Sequence, residues 1–118
     1  MNNIQRFGSN HRLSEAVTAN GFVFLAGMVP EDITGDAAAQ TADVLRQIDA
    51  WLARCHSDKS HILEATIYLT DMNDYSAMNS AWDAWVDKEN PPARACVQAI
   101  LADPKWRVEI KVSALQIQ

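Results

Sequence analysis

The chain switches between two hydrophobic periods, and the order of these switches limits the folds that it can adopt. Two segments, about 36–55 and 73–87, repeat apolar residues every three or four positions, which is typical of helices with one buried face. Five other segments alternate apolar and polar residues, which is typical of strands: 11–18, 22–28, 63–70, 93–101 and 107–113. This order predicts an α+β fold in a single domain, residues 1–118, with two helices packed on one face of a sheet of about five to six mostly antiparallel strands.

The first helix is predicted to begin after Asp36, a residue suited to an N-cap, and to end near Cys55. Because its opposite face is polar, we expect this helix to lie on the surface of the sheet. Its predicted inward stripe is Thr41, Val44, Leu45, Ile48, Trp51, Leu52 and Cys55. The residues of the second helix that are predicted to face inward are Tyr75, Met78, Trp82, Trp85 and Val86.

The Asn20-Gly21 dipeptide lies between the first two strand segments. It predicts a two-residue hairpin turn, because both residues tolerate a positive φ. The resulting register places six residues on one face: Leu13, Glu15 and Val17 with Phe24, Ala26 and Met28. In the third strand segment, the residues predicted to be buried are Leu63, Ala65, Ile67 and Leu69.

A single arginine, Arg94, lies on an otherwise small and apolar strand just after Pro91-Pro92. The two prolines fix their own φ and favour extended geometry before them, so this strand has a stiff start. A planar guanidinium on a stiff support suits a carboxylate ligand. The alternation predicts two rows, with Arg94, Cys96, Gln98 and Ile100 on one face and a core row of Ala93, Ala95, Val97, Ala99 and Leu101 on the other.

The last two strand segments are separated by a short stretch that contains Asp103-Pro104, which predicts a second hairpin. A symmetric register sets Arg94 opposite Ser113 and places Arg94 and Glu109 on the same polar face. Glu109 is four residues from Ser113, so at about 3.4 Å for each residue its charge lies roughly 13 Å from that of Arg94. We therefore expect a pocket that uses both residues to need two chains.

The composition excludes several classes of function. A net charge of −5 with ten scattered basic residues argues against a nucleic-acid surface, because phosphate binding needs clustered Lys and Arg. The two cysteines and three histidines lack metal-ligand spacing, and no Gly-rich phosphate loop is present, so we expect no metal and no cofactor. No apolar run approaches the roughly 20 residues of a membrane span, and segment 1–6 lacks a signal core, which predicts a cytoplasmic protein.

Several short motifs occur in the order and at the spacing of one known family. They are Phe24-Leu25-Ala26-Gly27, Gln40, Ile67-Tyr68-Leu69-Thr70-Asp71, Met78-Asn79-x-x-Trp82, Pro92-x-Arg94-x-Cys96-Val97 and Val108-Glu109-Ile110. On these residues the chain resembles the RidA/YjgF family of reactive intermediate deaminases over essentially its whole length. The Pro-Ala-Arg-x-Cys-Val run, with Glu fifteen positions after its Arg, is the most specific part. Within the family, the chain is most similar to the short YoaB-like branch.

The resemblance implies a chorismate-mutase-like fold in a homotrimeric barrel, with helices outside and clefts between subunits. It also implies an enzyme similar to 2-iminobutanoate/2-iminopropanoate deaminase, which hydrolyses 2-imino and 2-enamino acids to 2-keto acids and ammonia without a metal or organic cofactor. Carried over by position, Arg94 binds the substrate carboxylate and Glu109 orients or activates the water. The other substrate-binding residues that it implies are Gly27 and Cys96, through their backbone N–H groups, with Leu13, Ala26, Met28 and Asn79.

The chain departs from the archetypal site at three of these positions. Archetypal members have Tyr before the first strand and Ser and Gln in a Phe-Leu-Ser-Gly-Gln motif, whereas this chain has Leu13, Ala26 and Met28. By the hairpin register, the three changes form one apolar wall. Such a wall has two interpretations. Either the site takes a substrate with a larger apolar side chain, or the protein binds keto or amino acids without catalysing a reaction. An RNA-cleaving or translation-inhibiting role needs a basic surface that the sequence lacks.

Overall fold

The computed structural model describes residues 3–118, whose strands form one six-stranded sheet. In chain order the elements are β1 (Gln5–Phe7), β2 (Ala16–Ala19), β3 (Phe22–Leu25), α1 (Ala37–Arg54), β4 (Ile62–Leu69), α2 (Tyr75–Trp85), β5 (Ala93–Gln98) and β6 (Val108–Leu115). The sheet order is β1-β2-β3-β6-β4-β5, and all neighbouring pairs are antiparallel except β4–β5. The predicted α+β fold with two helices and a mostly antiparallel sheet is confirmed.

The first helix has the limits that the sequence predicted. The Asp36 carboxylate accepts a hydrogen bond from the Ala39 N–H at 2.9 Å, and Cys55 is the C-cap. All residues of the predicted stripe are buried except Trp51, which is half-buried. Between residues 3 and 118, no helix combines the length and the apolar character needed to cross a membrane.

The second helix begins at Tyr75, slightly later than predicted, because Asp71 caps a separate 3₁₀ turn over Met72–Asp74. Met78 and Trp82 are buried as predicted, whereas Trp85 and Val86 are partly buried. The inward prediction for Tyr75 is wrong. Its side chain is 40% exposed, because it lies at the N-terminal end of α2 beside Arg94 and not over the core.

The Asn20-Gly21 turn is confirmed, with φ of 54° and 82°, and Val17 pairs with Phe24. The strands of this hairpin are shorter than predicted, since β2 begins at Ala16 and leaves Leu13 in the preceding loop. The short edge strand β1, which the sequence did not predict, pairs with β2. The segment after Phe7, up to Leu13, therefore forms part of the loop that reverses the chain between β1 and β2.

The predicted second hairpin is wrong, because β5 and β6 lie on opposite sides of β4. The chain leaves β4, passes through α2 and returns as β5 parallel to β4, which is the usual result of a helical crossover between strands. β6 then enters between β3 and β4. The short connection near Asp103-Pro104 suggested a hairpin, but the helix before β5 determines the pairing.

This pairing also reverses the predicted faces of β5. Arg94 lies in register with Ala65, and Ala65 with Val112, both of which are buried under the helices. Arg94 and Cys96 therefore face the helix layer. The predicted core row is wrong, because Ala93, Ala95 and Val97 are exposed on the helix-free face.

Two β-bulges break the alternation that the sequence suggested. A shift between Ile62 and Glu64 leaves Leu63 42% exposed, so the prediction that Leu63 is buried is wrong. The second bulge lies between the Phe24–Ser113 pair and the Met28–Ile110 bridge, where the β3 side has one more residue than β6. This extra residue turns Met28 into the core, where it is 2% exposed. The predicted common face of Phe24 and Met28 is therefore wrong.

Candidate functional site

Helix α2 holds the guanidinium of Arg94 in one position. Arg94 Nη1 donates to Asn79 Oδ1 at 2.8 Å, and Nη2 donates to Tyr75 Oη at 3.3 Å. The Arg94 Cζ also lies 5.3 Å from the centroid of the Trp82 ring, within the range of a cation–π contact. Tyr75 and Asn79 are one helical turn apart, so their side chains reach the same point on β5. The guanidinium is thus oriented before any ligand arrives.

The charge of Arg94 has no carboxylate partner in the part of the chain that the structure describes. The ion pairs formed by residues 3–118 are His61–Asp58 at 2.6 Å and Arg107–Asp74 at 3.2 Å. Arg94 is half-buried, and its contacts are a neutral amide, a phenol and an indole. A partly desolvated guanidinium with only neutral neighbours is a favourable position for an anionic ligand.

Cys96 lies on the same side of β5 as Arg94, as the sequence predicted. Ala99 N–H donates to Leu69 O, and N–H groups point to alternate sides along a strand, so the N–H of Cys96 points to the free edge of the sheet. Burial raises the pKa of the Cys96 thiol, and the charge of Arg94 opposes this rise. The thiol is therefore protonated at neutral pH, and the backbone of Cys96 is the group available to a ligand.

Glu109 lies on the opposite face of the sheet from Arg94. It pairs with Tyr68 of β4, which lies three positions after the Ala65 that pairs with Arg94, and an odd offset along a strand reverses the face. Glu109 is half-buried on the helix-free face. The predicted common face of Arg94 and Glu109 is therefore wrong, because β4 separates the strands that carry them and the two registers have opposite phase. Within one chain, the two side chains cannot meet the same small ligand.

Gly27 lies directly beside the Glu109 carboxylate. A Cβ at position 27 would overlap Glu109 Oε2 and lie 2.9 Å from its Cδ. The bulge after Phe24 brings Gly27 to this position, and the absence of a side chain leaves room for the carboxylate. The structure thus brings together Gly27 and Glu109, two of the residues predicted for the site.

The close approach of Gly27 gives a first testable prediction. Gly27→Ala should displace the Glu109 carboxylate, because the overlap is with the end of a flexible side chain and not with backbone. We expect the imine hydrolysis that the family resemblance implies to fall by about tenfold or more, with the fold retained, because a small misplacement of an acid or base is costly in rate. Steady-state kinetics and thermal unfolding of the purified variant measure both effects. Unchanged turnover would show that the position of Glu109 does not matter.

The remaining predicted site residues lie in three different environments. Leu13 is 45% exposed in the loop before β2, and its N–H donates to Asn10 Oδ1 at 2.9 Å. Ala26 is half-buried, and its N–H donates to Glu15 O. Met28 is in the core and takes no part in the predicted apolar wall of three residues, which leaves Leu13 and Ala26 as the candidates for contact with a ligand. Asn79 lies in the middle of α2, and its Oδ1 accepts the hydrogen bond from Arg94.

Sequence reasoning missed two contacts of Arg94. The sequence pattern places Tyr75 and Trp82 in the core stripe of α2, because aromatic residues at helical spacing are usually buried. The signal that could have identified Tyr75 is its position four residues before Asn79, since both side chains then share one face of the helix.

Three comparisons relate this chain to known proteins. The family model described as Endoribonuclease L-PSP matches residues 3–116. A RutC family protein from Haemophilus ducreyi is 49% identical over 111 residues, which cover 94% of this chain and 95% of the relative. The RutC family protein YoaB from Escherichia coli strain K12 is 50% identical over 111 residues, which cover 94% of this chain and 96% of the relative. A crystal structure of a YjgF family member from Neisseria meningitidis has a TM-score of 0.96 and 60% identity, and covers 98% of this chain and 97% of its own. These similarities extend over nearly the full length of each protein.

Proposed function

The chain belongs to the RidA/YjgF family, and we propose that it hydrolyses 2-imino and 2-enamino acids to 2-keto acids and ammonia. The observation that carries the proposal is the guanidinium of Arg94, which α2 orients and for which residues 3–118 provide no carboxylate. A substrate with an α-carboxylate would supply the missing partner. The N–H of Cys96 at the free sheet edge is a second donor on the same side.

The chemistry needs few groups, because the carbon of an imine is already electrophilic. In the proposed reaction, Glu109 accepts a proton from water as the water oxygen bonds to the imine carbon, and it passes this proton to the nitrogen as the C=N double bond becomes a single bond. The resulting carbinolamine then collapses: its hydroxyl proton is transferred through Glu109 to the nitrogen, the C–N bond breaks, and the 2-keto acid and ammonia leave. An enamine first gains a proton on carbon and loses one from nitrogen to become the imine. Gly27 leaves the space in which Glu109 can approach the reacting carbon.

The two faces of the sheet support a site shared by two subunits. Since Arg94 and Glu109 emerge on opposite faces, a ligand can contact both only if a neighbouring chain supplies one of them. The helix-free face also exposes a row of apolar side chains, among them Phe22, Phe24 and Leu115, and the two phenylalanine rings stack at 6.2 Å. An apolar sheet face of this kind favours burial against other copies of the chain.

This arrangement predicts an oligomer in solution, for which the resemblance to the RidA/YjgF family implies a homotrimer, and sedimentation velocity at micromolar concentration measures it. The expected mass is that of three chains of 13.1 kDa each. Phe24→Glu should shift the distribution toward smaller species, because it places a charge in the apolar face. A stable monomer of the unmodified protein at this concentration would contradict the shared site.

The proposed reaction is tested with imines made in situ by an amino-acid oxidase in the presence of semicarbazide, which traps unreacted imine. Hydrolysis by this protein should lower the yield of semicarbazone in proportion to enzyme concentration. The alternative is a non-catalytic protein that binds small keto or amino acids, which the absence of hydroxyls at Leu13 and Ala26 favours. Binding of 2-keto acids with no effect on semicarbazone yield would identify the alternative.

The two remaining apolar positions give a prediction on specificity. Leu13 and Ala26 should favour imines with apolar side chains, because each buried methylene contributes about 0.8 kcal/mol, or a few-fold in rate when the contact forms in the transition state. The double variant Leu13→Tyr, Ala26→Ser should shift the preference toward the small serine-derived imine, relative to the leucine- and methionine-derived ones.

The matched control for this prediction is Met28→Leu, which conserves volume in the core and should leave the ranking unchanged. The measurement is kcat/KM for the three imines with each protein. The same ranking in the double variant and the unmodified protein would mean that positions 13 and 26 do not contact the substrate side chain.

The family description includes an endoribonuclease, but the charge of this chain does not favour RNA as a substrate. A net charge of −5 with scattered Lys and Arg repels phosphates within about 8 Å at physiological salt. Cys55 and Cys96 are free thiols, which is consistent with a reducing compartment, and we propose a cytoplasmic location.

A further inference from the structure

Among residues 3–118, the hydroxyl of Tyr75 is the one that contacts the Arg94 guanidinium. Its oxygen lies 3.3 Å from Arg94 Nη2, and the ring centroid lies 6.0 Å from Cζ. The side chain is 40% exposed, so the hydroxyl is open to a ligand that approaches Arg94. By contrast, neither Leu13 nor Ala26 can offer a hydroxyl.

The direction of this hydrogen bond leaves the Tyr75 proton available. Arginine carries only N–H donors, so the phenol oxygen must be the acceptor in the pair. Within residues 3–118, no side chain or carbonyl accepts the Tyr75 O–H in return. The phenol is therefore a donor located next to a cation.

The distances allow one ligand atom to contact both groups. Because Nη2 and Oη are 3.3 Å apart, a carboxylate oxygen can lie about 2.8 Å from each of them at the same time. Of the five N–H donors of Arg94, Asn79 and Tyr75 occupy one each, so the others remain for the ligand. An anion bound to Arg94 from the Tyr75 side would thus receive charge-assisted bonds from both residues.

We propose that Tyr75 is a substrate-binding residue that donates a hydrogen bond to the carboxylate bound by Arg94. The inference rests on the proposed function and narrows its substrate class to 2-imino acids with a free, ionised α-carboxylate. The corresponding esters and amides are poor substrates, because they lack the charge that Arg94 and Tyr75 recognise together.

The test uses 2-oxobutanoate, the keto acid product of one such imine, as the probe, with binding measured by calorimetry on the intact protein. Tyr75→Phe should weaken binding on the order of tenfold, because it removes one hydrogen bond to a charged acceptor. Ser76→Ala, which removes an exposed hydroxyl from the next residue of α2, should bind like the unmodified protein. Equal binding by Tyr75→Phe and the unmodified protein overturns the inference. Absence of both binding and turnover in the unmodified protein overturns the proposed function itself.

A second variant separates donation to the ligand from support of Arg94. The chain has two tyrosines, so 3-fluorotyrosine incorporated in a Tyr68→Phe background labels position 75 alone. Fluorination makes the phenol a stronger donor and a weaker acceptor. At pH 6, 2-oxobutanoate should bind more tightly to the fluorinated protein than to the Tyr68→Phe protein with ordinary tyrosine. Unchanged or weaker binding would mean that Tyr75 acts only as an acceptor for Arg94, and would overturn the inference.

Discussion

Arg94→Ala should lower kcat/KM for imine hydrolysis by about 10²- to 10³-fold and abolish measurable binding of 2-keto acids, because it leaves the substrate carboxylate without its charged partner. The side chain contacts Asn79, Tyr75 and Trp82 at the edge strand and is not part of the core. We therefore expect the variant to keep its fold and its oligomeric state. Kinetics, calorimetry and sedimentation on one preparation measure all three properties.

Two further variants make this prediction specific. Arg94→Lys should lose nearly as much activity, because an ammonium cannot reproduce the planar fork of a guanidinium. Arg54→Ala is the matched control, since Arg54 also stacks on a tryptophan ring, at 4.2 Å from the centroid of Trp51, but lies at the end of α1. It should retain full activity. Near-normal turnover by Arg94→Ala would show that the carboxylate is bound elsewhere.

Glu109→Gln should lower kcat by about 10²-fold or more, because an amide cannot accept the proton of the attacking water. Binding of 2-oxobutanoate should change much less, since in the proposed site the carboxylate is bound by Arg94 and not by Glu109. The pattern of lost kcat with retained affinity distinguishes the two residues. Kinetics and calorimetry of the same protein give both values.

Glu64→Gln is the control for charge on this face. Glu64 is an exposed acid of β4 that pairs with Ser113 and Ala93 on the helix-free side. Its replacement removes the same charge from the same face, so equal losses in both variants would indicate a general electrostatic effect. An active Glu109→Gln protein would exclude Glu109 as the base.

Those parts of the fold that depend on local signals could be predicted from the sequence. The limits of α1 follow from the Asp36 cap and the apolar stripe, and the first turn follows from two adjacent residues that tolerate a positive φ. The position of β5 could not be predicted in this way. Strand pairing depends on contacts between residues far apart in the chain, and a short connection near Asp103-Pro104 favoured the wrong neighbour.

The candidate site likewise combines features that local signals predict with features that depend on distant contacts. The sequence motifs identified Arg94, Cys96, Gly27 and Glu109, but the faces of these residues depend on the pairing of β4 and on a bulge that alternation cannot reveal. From the sequence, the prediction that two chains are needed rests on a distance of roughly 13 Å along a hairpin that the structure does not contain. The structure gives a different reason, since the two charges emerge on opposite faces of one sheet.

The central claim is that Arg94 of one subunit and Glu109 of its neighbour act on the same substrate. Arg94→Ala and Glu109→Gln proteins, each nearly inactive alone, can be mixed at equal concentration, unfolded and refolded together. In a cyclic trimer with random assembly, about one quarter of the sites then combine an intact Arg94 with an intact neighbouring Glu109. We predict recovery of about one quarter of the unmodified activity. A mixture as inactive as its two components would contradict the shared site.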